Sequence, residues 1–321
     1  MKSMQYFNRS GAAEPDGRTF DERTLQAVNL TAANVGSYRE FAAALALARS
    51  GSVITVTEKI LIPETILIRK SNLKIICEGR GGFEPSDKDL TLFSLENVEN
   101  VFFDSVKVIE SPVHGYFSRF VYHRFTSAAT ADPTDVKNIS IRKCIVEAKV
   151  FLEVDINGNV PASVSPLPAD LNAWYRYGNN RSFVVDNIHT YSVTSGVGPD
   201  PTHFILADFL AFWTIRGNES TGMILTHNGT LNQIQGNTLM GFEVKSGNVF
   251  PLTALVDKPF SVYFQASNLT NPGGSNVIMG NYCYGYVGKL YGPFFDPTAA
   301  PGVTNNSNRD LFFGNFVLED V

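Results

Sequence analysis

The chain has 321 residues, of which 44% are hydrophobic and 18% are charged, and its formal net charge is −5. It contains no cluster of Lys and Arg, so nucleic acid is not an expected partner, because phosphate binding needs such clusters. No stretch reaches the roughly 18 apolar residues that a membrane-spanning helix needs, so no membrane is expected either.

Cysteine and histidine usage gives no sign of a metal or cofactor. Cys77, Cys144 and Cys283 lie in apolar stretches without metal-ligand spacing, which is typical of buried free thiols. The five histidines are scattered along the chain. The first residues lack the apolar core of a classical signal peptide, so none is expected.

The N-terminal part of the chain predicts an arm followed by one helix. Residues 1–36 are polar and weakly patterned, and we expect an extended arm or attachment segment there. In "SYREFAAALALARSG", apolar residues then recur at helical spacing. Ser37 is the predicted N-cap, Glu40 lies three residues on, and Gly51 follows the last turn.

Strands are predicted after this helix. The run "SVITVTEKILIPETILIRKSNLKIICEGRGG" alternates apolar and polar residues and is rich in Ile, Val and Thr. Breaks are expected at Pro63 and at Ser71 and Asn72. No long helical period follows as far as Val321, so the remainder is predicted to be all-β.

A short pattern returns seven times in this β region. The segments and their last residues are "FFDSV" (Val106), "SIRKC" (Cys144), "VVDNI" (Ile188), "TIRGN" (Asn218), "QIQGN" (Asn237), "VIMGN" (Asn281) and "LFFGN" (Asn315). The shortest spacing, 19 residues, suits one bare coil of a β-solenoid. Two spacings of 44 residues allow either two coils or one coil with a long insertion.

This pattern favours a parallel β-helix. Its coils stack about 4.8 Å apart, so equivalent positions contact each other. An Asn column can pass amide hydrogen bonds from coil to coil, and the preceding Gly permits the turn. We expect Asn237 to be buried and bonded to an Asn of the next coil, with apolar Val106, Cys144 and Ile188 earlier in the column. A β-sandwich with Asn-Gly hairpins is the alternative, but the order here is Gly-Asn.

Three segments resemble the pectin lyase-like superfamily of right-handed parallel β-helices. The run from Tyr38 to Gly82 looks like its capping helix and first coils, and "NVENVFFDSVKVIES" and "DVKNISIRKCIVEAK" look like its coil strands. The resemblance implies an all-β, single-stranded right-handed parallel β-helix over residues 37–321, with an N-terminal capping helix. Loop insertions are expected near residues 112–135, 156–181 and 289–309.

The same superfamily includes polysaccharide lyases and hydrolases, bacteriophage tailspikes and structural virion proteins. The N-terminal arm and the expected lack of a signal peptide look most like the phage branch. This implies a homotrimeric virion or extracellular protein that binds a bacterial surface polysaccharide and docks on other virion proteins through its arm. A non-catalytic decoration protein and a free polysaccharide lyase or hydrolase remain the alternatives.

Whether the protein is an enzyme stays open at this point. Hydrolysis would need two carboxylates, about 5 Å apart for retention or 6.5–9.5 Å for inversion of the sugar configuration. The candidate catalytic residues are Asp186, Asp208 and Glu219, and Glu153 with Asp155 is a second option. A lyase would instead need a side chain that acts as a base, together with Ca²⁺ held by acidic residues. The motifs of pectate lyases and polygalacturonases are missing.

Two further features bear on binding. A Pro-rich insertion ends in the candidate substrate-binding residues Trp174, Tyr175, Arg176 and Tyr177, and it could serve either sugar binding or subunit contacts. The outward position of four successive segments carries Asp104, Arg142, Asp186 and Arg216. This stripe predicts either an ion-binding or catalytic row, or a surface ladder of opposite charges.

Overall fold

The computed structural model describes thirteen stretches of the chain. They are residues 32–87, 89–124, 138–155, 181–191, 202–207, 210–226, 229–230, 232–239, 242–243, 259–266, 276–284, 286–291 and 311–318. Within them lie one helix and 29 strands. None of their helices is long and apolar enough to cross a membrane.

The helix α1 (Tyr38–Leu47) begins where the sequence predicts. Its N-cap is Ser37, whose Oγ accepts a hydrogen bond from the Glu40 N–H at 3.3 Å. The Glu40 carboxylate reaches back and accepts from the Gly36 N–H at 2.7 Å, so two free donors at the helix start are satisfied. At the other end Lys70 Nζ donates to the carbonyls of Ala46 and Ala48.

Helix α1 also closes one end of the core. Phe41 is fully buried and packs edge-on against Phe83, with 5.5 Å between ring centroids, and against Phe93 at 6.3 Å. The helix is therefore the N-terminal cap that the sequence predicts.

The strands follow one another in short coils. In chain order they are β1 (Ala32–Val35), β2 (Val53–Val56), β3 (Lys59–Ile62), β4 (Ile66–Ile68), β5 (Leu73–Cys77), β6 (Gly82–Pro85), β7 (Thr91–Glu96), β8 (Val101–Asp104), β9 (Lys107–Val108), β10 (Phe117–Arg124), β11 (Ile139–Arg142), β12 (Ile145–Asp155), β13 (Phe183–Val185), β14 (Ile188–Thr190), β15 (His203–Ala207), β16 (Leu210–Ala211), β17 (Thr214–Arg216), β18 (Glu219–Ser220), β19 (Met223–Thr226), β20 (Gly229–Thr230), β21 (Gln233–Gln235), β22 (Thr238–Leu239), β23 (Phe242–Glu243), β24 (Pro259–Ala266), β25 (Val277–Met279), β26 (Tyr282–Tyr284), β27 (Tyr286–Tyr291), β28 (Leu311–Phe313) and β29 (Phe316–Leu318).

Three parallel faces result from this order. Face A is β1-β2-β5-β8-β11-β13-β17-β21-β25-β28. Face B is β3-β6-β9-β12-β14-β18-β22-β26-β29, and face C is β4-β7-β10-β12-β15-β19-β24-β27. Each circuit from A through B to C advances by one coil, and we number the coils 1 to 9 from β2 to β28. The chain is thus a parallel β-helix.

Apolar side chains fill the space between the three faces. On face A the central inward column pairs coil by coil and is at most 1% exposed in Ile54, Ile75, Phe103, Ile141, Val184, Ile215, Ile234 and Ile278. Buried positions of parallel strands are rich in Val, Ile and Leu, and this column fits that composition.

An asparagine ladder runs along the turn between faces A and B. From each rung both the backbone N–H and Nδ2 donate to Oδ1 of the next Asn, at 2.8–3.1 Å, through Asn187, Asn218, Asn237, Asn281 and Asn315. The second Nδ2 hydrogen of each rung goes to a face A carbonyl, for example from Asn237 to Ile215 at 3.1 Å. The predicted burial and bonding of Asn237 are confirmed.

The predicted register of the column is wrong by one residue in coil 5. Asn187, rather than Ile188, occupies the inward place and bonds to Asn218, while Ile188 is exposed. The turn residue there is Asp186, which has φ 56° where later coils have Gly. The two spacings of 44 residues each prove to be one coil with an insertion.

Two predicted boundaries also differ from the structure. Ala32–Val35, inside the predicted arm, forms β1 and pairs in parallel with β2, so the β-helix begins before residue 37. The predicted insertion near residues 112–135 contains β10, which is a strand of face C. Residues 1–31 lie outside the described residues.

Candidate functional site

The turn from face A to face B places one residue of each coil in the left-handed region. Coils 3 to 5 use Ser105, Lys143 and Asp186, with φ between 52° and 57°. Coils 6 to 9 use Gly217, Gly236, Gly280 and Gly314, with φ between 60° and 64°. Glycine adopts this conformation without steric penalty, which lets the following Asn point inward to the ladder.

The same glycines leave an open strip of backbone on the outside. A Cβ atom on Gly236, Gly280 or Gly314 would meet no atom of the described residues within 4 Å. One row of side chains borders the strip on face A, in register in Arg216, Gln235, Met279 and Phe313. A second row borders it on face B in Glu219, Thr238, Tyr282 and Phe316. We call the four glycines and these two rows the glycine corner.

Two carboxylates lie at the N-terminal end of the glycine corner. Asp186 and Glu219 are both exposed, and Arg216 beside them is half-buried. The Asp186 carboxylate extends over the next coil, because a Cβ on Gly217 would lie 2.4 Å from its Oδ1. The Asp186 N–H donates to the Arg216 carbonyl at 3.0 Å, which fixes the backbone beneath this carboxylate.

Aromatic side chains mark the C-terminal end of the glycine corner. Tyr282 and Phe316 stack on adjacent coils, with 5.2 Å between ring centroids and 15° between ring planes. Phe316 is 57% exposed and Phe313 is 68% exposed. Large apolar side chains that are exposed next to each other on adjacent coils commonly mark a binding surface.

The outer surface of face A changes along the axis. In coils 3 and 5 the outward residues Phe102, Phe183 and Val185 are buried. In coils 7 to 9 the outward residues Gln233, Met279 and Phe313 are exposed. The accessible part of this face is therefore next to the glycine corner.

The predicted catalytic residues are only partly brought together. Asp186 and Glu219 lie on adjacent coils at the same corner, although Val185 rather than Asp186 holds the outward strand position. Asp208 lies outside the described residues. So do all four predicted substrate-binding residues, Trp174, Tyr175, Arg176 and Tyr177, and the side chain of Asp155 is not described.

His189, three residues after Asp186, points into the core and does not contact the corner. Its Nδ1 is 2.8 Å from Ser220 Oγ, and its Nε2 is 2.8 Å from the Ala148 carbonyl oxygen. Because a carbonyl only accepts, Nε2 carries the proton and Nδ1 accepts from Ser220. Burial lowers the pKa of His189 to about 4, so this imidazole is neutral near pH 7.

The outward row of charged residues that begins with Asp104 and Arg142 forms ion pairs between adjacent coils at its N-terminal end. Lys74 Nζ lies 3.0 Å and Arg142 Nη2 lies 3.6 Å from Asp104 Oδ2. Burial raises the pKa of Asp104, but the hydrogen bond and charge of Lys74 and the charge of Arg142 outweigh it, and the net pKa is lowered. This supports the surface-ladder interpretation of Asp104 and Arg142.

Several other carboxylates are likewise engaged. Glu153, the second catalytic option, pairs with Arg119 on face C. Glu84 pairs with Lys59 at 2.6 Å, and Glu96 pairs with Arg69 at 3.0 Å. Ion pairs of this kind contribute little to stability individually, but they occupy these carboxylates.

Metal ligation finds no support in the part of the chain that the structure describes. No group of three or more His, Cys, Asp or Glu residues there could hold an ion. The three cysteines are free and buried, as the sequence predicts. Burial raises the pKa of the Cys77 thiol to about 11 and raises that of Cys144 further, so both are protonated and unreactive near neutral pH.

The molecule is therefore an all-β parallel β-helix protein with a mixed polar and aromatic strip along one corner. The chain matches no protein-family model and no curated protein. Among solved structures it is similar to the PL6 family alginate lyase AlyGC, with 12% sequence identity and a TM-score of 0.39. That match covers 90% of this chain and 39% of the lyase chain. At this level the similarity carries no argument about a site or an activity.

Proposed function

We propose that the protein binds an extended polysaccharide along the glycine corner. The observation that carries the proposal is the pair of side-chain rows, in register over coils 6 to 9, on either side of an open backbone strip. Four coils span three steps of about 4.8 Å, or roughly 14 Å. A linear ligand along the axis would meet a new pair of side chains at each step.

The residue types in the two rows suit sugar rings. Tyr282, Phe313 and Phe316 offer apolar faces that can contact the C–H face of a pyranose. Gln235 and Thr238 carry groups that both donate and accept hydrogen bonds, as sugar hydroxyls do. The carboxylates of Asp186 and Glu219 add strong acceptors at one end.

Cleavage is a separate step of the proposal, and it rests on Asp186 and Glu219. The Asp186 carboxylate lies over Gly217, and Glu219 follows two residues later, directly after the turn of the same coil. Glycoside hydrolases use carboxylate separations of about 5 to 9.5 Å. One of these carboxyls would protonate the leaving oxygen while the other acts as base or nucleophile.

The biological setting is proposed from the sequence resemblance. We propose a tailspike-like virion or extracellular protein that is homotrimeric and docks on other virion proteins through its N-terminal arm. A trimer would appear in sedimentation equilibrium of the full chain at three times the 35.3 kDa chain mass. A monomer at all concentrations would contradict this part of the proposal.

A second candidate function is a non-catalytic structural β-helix. It is favoured by the ion pairs that occupy Asp104, Glu153, Glu84 and Glu96, since these carboxylates are engaged with neighbouring cations on the faces of the β-helix. In that case the exposed aromatics of the glycine corner would serve a protein contact.

One experiment separates the two candidates. The full-length protein is applied to an array of purified bacterial polysaccharides, and bound glycans are then assayed for the release of reducing ends. Binding that is weakened by Tyr282→Ala supports the first function, and release that is lost in Glu219→Gln supports cleavage. Absence of binding across the array contradicts the first function and favours the structural one.

A further inference from the structure

The charges of the glycine corner are unevenly distributed. Asp186 and Glu219 are exposed carboxylates, whereas Arg216 is the one cation in the two rows. The other row members are uncharged: Gln235, Thr238, Met279, Tyr282, Phe313 and Phe316. The two rows together with Asp186 therefore carry a formal charge of about −1, and Lys143, the exposed turn residue one coil before Asp186, lies outside them.

We infer that the glycine corner takes a neutral polysaccharide rather than a polyuronate. This inference rests on the proposed function and names the chemical class of its ligand. A neutral glycan presents hydroxyl groups and apolar ring faces but no fixed charge. The two rows contain polar side chains that match the hydroxyl groups and aromatic side chains that match the apolar ring faces.

A polyuronate would be disfavoured first by charge. It carries a carboxylate on every ring, and those rings near coil 6 would approach Asp186 and Glu219. Like charges repel within the Debye length, which is about 8 Å at physiological ionic strength. Clustered cations, or Ca²⁺ held on acidic groups, would offset this repulsion. Within the two rows Arg216 is the one cation, and the described residues contain no group of three or more His, Cys, Asp or Glu that could hold a metal ion.

The hydrogen-bonding groups of the corner also favour a neutral glycan over a polyuronate. Carboxylates only accept hydrogen bonds, so Asp186 and Glu219 can bind sugar hydroxyls but cannot bind ionised uronate groups. Gln235 and Thr238, one coil further on, both donate and accept and can bind hydroxyls in either sense. The acceptors of the corner therefore match a ligand that is rich in O–H donors.

The aromatic end supplies the apolar part of the recognition. Tyr282 and Phe316 are stacked on coils 8 and 9, and Phe313 lies beside them on face A. A neutral pyranose can contact these rings with its C–H face at little desolvation penalty. An ionised carboxylate on the same ring would lose water against an apolar surface, which is unfavourable.

The test compares two panels of polysaccharides of similar chain length by affinity electrophoresis of the full-length protein. One panel is neutral, with dextran, galactomannan and neutral bacterial O-chains, and the other is anionic, with alginate and polygalacturonate. We expect the dissociation constant for at least one neutral glycan to be ten-fold or more below that for either polyuronate. The difference should widen as salt is lowered from 0.15 M, because screening weakens.

A charge variant sharpens the test. Asp186→Asn combined with Glu219→Gln should reduce the preference for the neutral glycan at least three-fold by improving polyuronate binding. The matched control is Glu78→Gln combined with Glu110→Gln, which removes two exposed carboxylates from the N-terminal coils. The control should leave the preference unchanged.

The outcomes are distinguishable. Equal or tighter binding of polyuronates overturns this inference and leaves the proposed function standing. Binding to neither panel overturns the proposed function, and this inference with it. If Phe313→Ser converts an oligomer to a monomer without changing glycan binding, the aromatic end is covered by a second copy of the chain, and the inference is overturned as well.

Discussion

The carboxylate of Asp186 occupies the space that a side chain on Gly217 would need. A Cβ atom on Gly217 would lie 2.4 Å from Asp186 Oδ1, whereas a Cβ atom on Gly236, one coil further on, would meet no atom of the described residues within 4 Å. The two glycines have nearly the same backbone conformation, with φ 64° and 61°. Substitutions at these two glycines therefore distinguish the effect of backbone strain from the effect of moving the Asp186 carboxylate.

Replacement of these two glycines by alanine should give the same loss of stability but different losses of function. Alanine in the left-handed region costs about 1–2 kcal/mol at either position. Only Gly217→Ala displaces the Asp186 carboxylate, so this variant should weaken polysaccharide binding or slow cleavage more than Gly236→Ala, whose added methyl group lies in the same open strip. Urea unfolding measures the first effect, and affinity electrophoresis with a reducing-end assay measures the second. Equal functional losses in both variants would exclude a role for the position of Asp186.

The asparagine ladder should make a large contribution to stability. Asn237→Ala removes the acceptor of both the backbone N–H and Nδ2 of Asn218, at a site where Asn237 is 1% exposed. Each buried donor without a partner costs about 1–3 kcal/mol, so we expect the free energy of unfolding to fall by about 3–5 kcal/mol. Thr238→Ala, the exposed neighbour, should change it by less than about 0.5 kcal/mol.

The ladder prediction has a second variant in case Asn237→Ala does not fold. Asn315 accepts the same two hydrogen bonds from Asn281 but is only half-buried. Asn315→Ala should therefore be less destabilising than Asn237→Ala and more destabilising than Thr238→Ala. A loss no larger than that of Thr238→Ala would show that the ladder contributes nothing beyond ordinary surface contacts.

His189 should make folding stability fall as the pH is lowered. Burial lowers its pKa to about 4, from the ordinary value of 6.5, with a further lowering by the charge of His203 and an opposing effect of the Ala148 carbonyl. The unfolded chain gains a proton near pH 6.5 and the folded chain only near pH 4. Stability is therefore lost progressively between these values, by about 3 kcal/mol in total.

Two variants isolate this effect. His189→Gln should flatten the dependence of the free energy of unfolding on pH between 6.5 and 4, whatever its absolute stability. Thr190→Ala, which replaces an exposed neighbour that carries no titratable group, should leave the slope unchanged. Asp104 and Glu84, whose pKa values are lowered, remain in both variants and cancel from the comparison. An unchanged slope in His189→Gln would show that His189 does not titrate as its burial implies.

The exposed aromatics should contribute to glycan affinity without contributing much to folding. Phe316→Ala removes one ring of the stack with Tyr282, and we expect about a five-fold weaker affinity, or about 1 kcal/mol, from the lost ring contact. Leu47→Ala is the control, since Leu47 is 79% exposed at the end of α1. Glycan affinity that is unchanged in Phe316→Ala would remove the aromatic end from the proposed binding strip.

The sequence pattern predicted the fold because every ladder rung from coil 6 onward carries its own marker. Gly in the left-handed turn and Asn directly after it recur at Asn218, Asn237, Asn281 and Asn315, and all four lie where the pattern places them. Coil 5 lacks the marker. Asp186 adopts the left-handed turn there, as Asp and Asn can, so the pattern points one residue too far, to Ile188 instead of Asn187.

The candidate site was less accessible to sequence reasoning. The pattern places Tyr282 and Phe316 one residue after an Asn rung, and this offset was the available signal that they face outward together. Which coils remain exposed depends on what covers each outer face, as the burial of Phe102 and Phe183 illustrates. The contact of Asp186 with the coil of Gly217 depends on register between segments that are distant in the sequence.

The ladder also shows how such a chain can diversify. Asn218 and Asn237 are separated by 19 residues, and Asn237 and Asn281 by 44, yet their amide hydrogen bonds are 2.8 Å and 2.9 Å long. The hydrogen bonds between rungs therefore do not depend on the length of the connecting segment. Closing the longer segment costs less than about 1 kcal/mol more in conformational entropy. Evolution can therefore lengthen, shorten or exchange the segment between two rungs while the register of the stack is inherited intact.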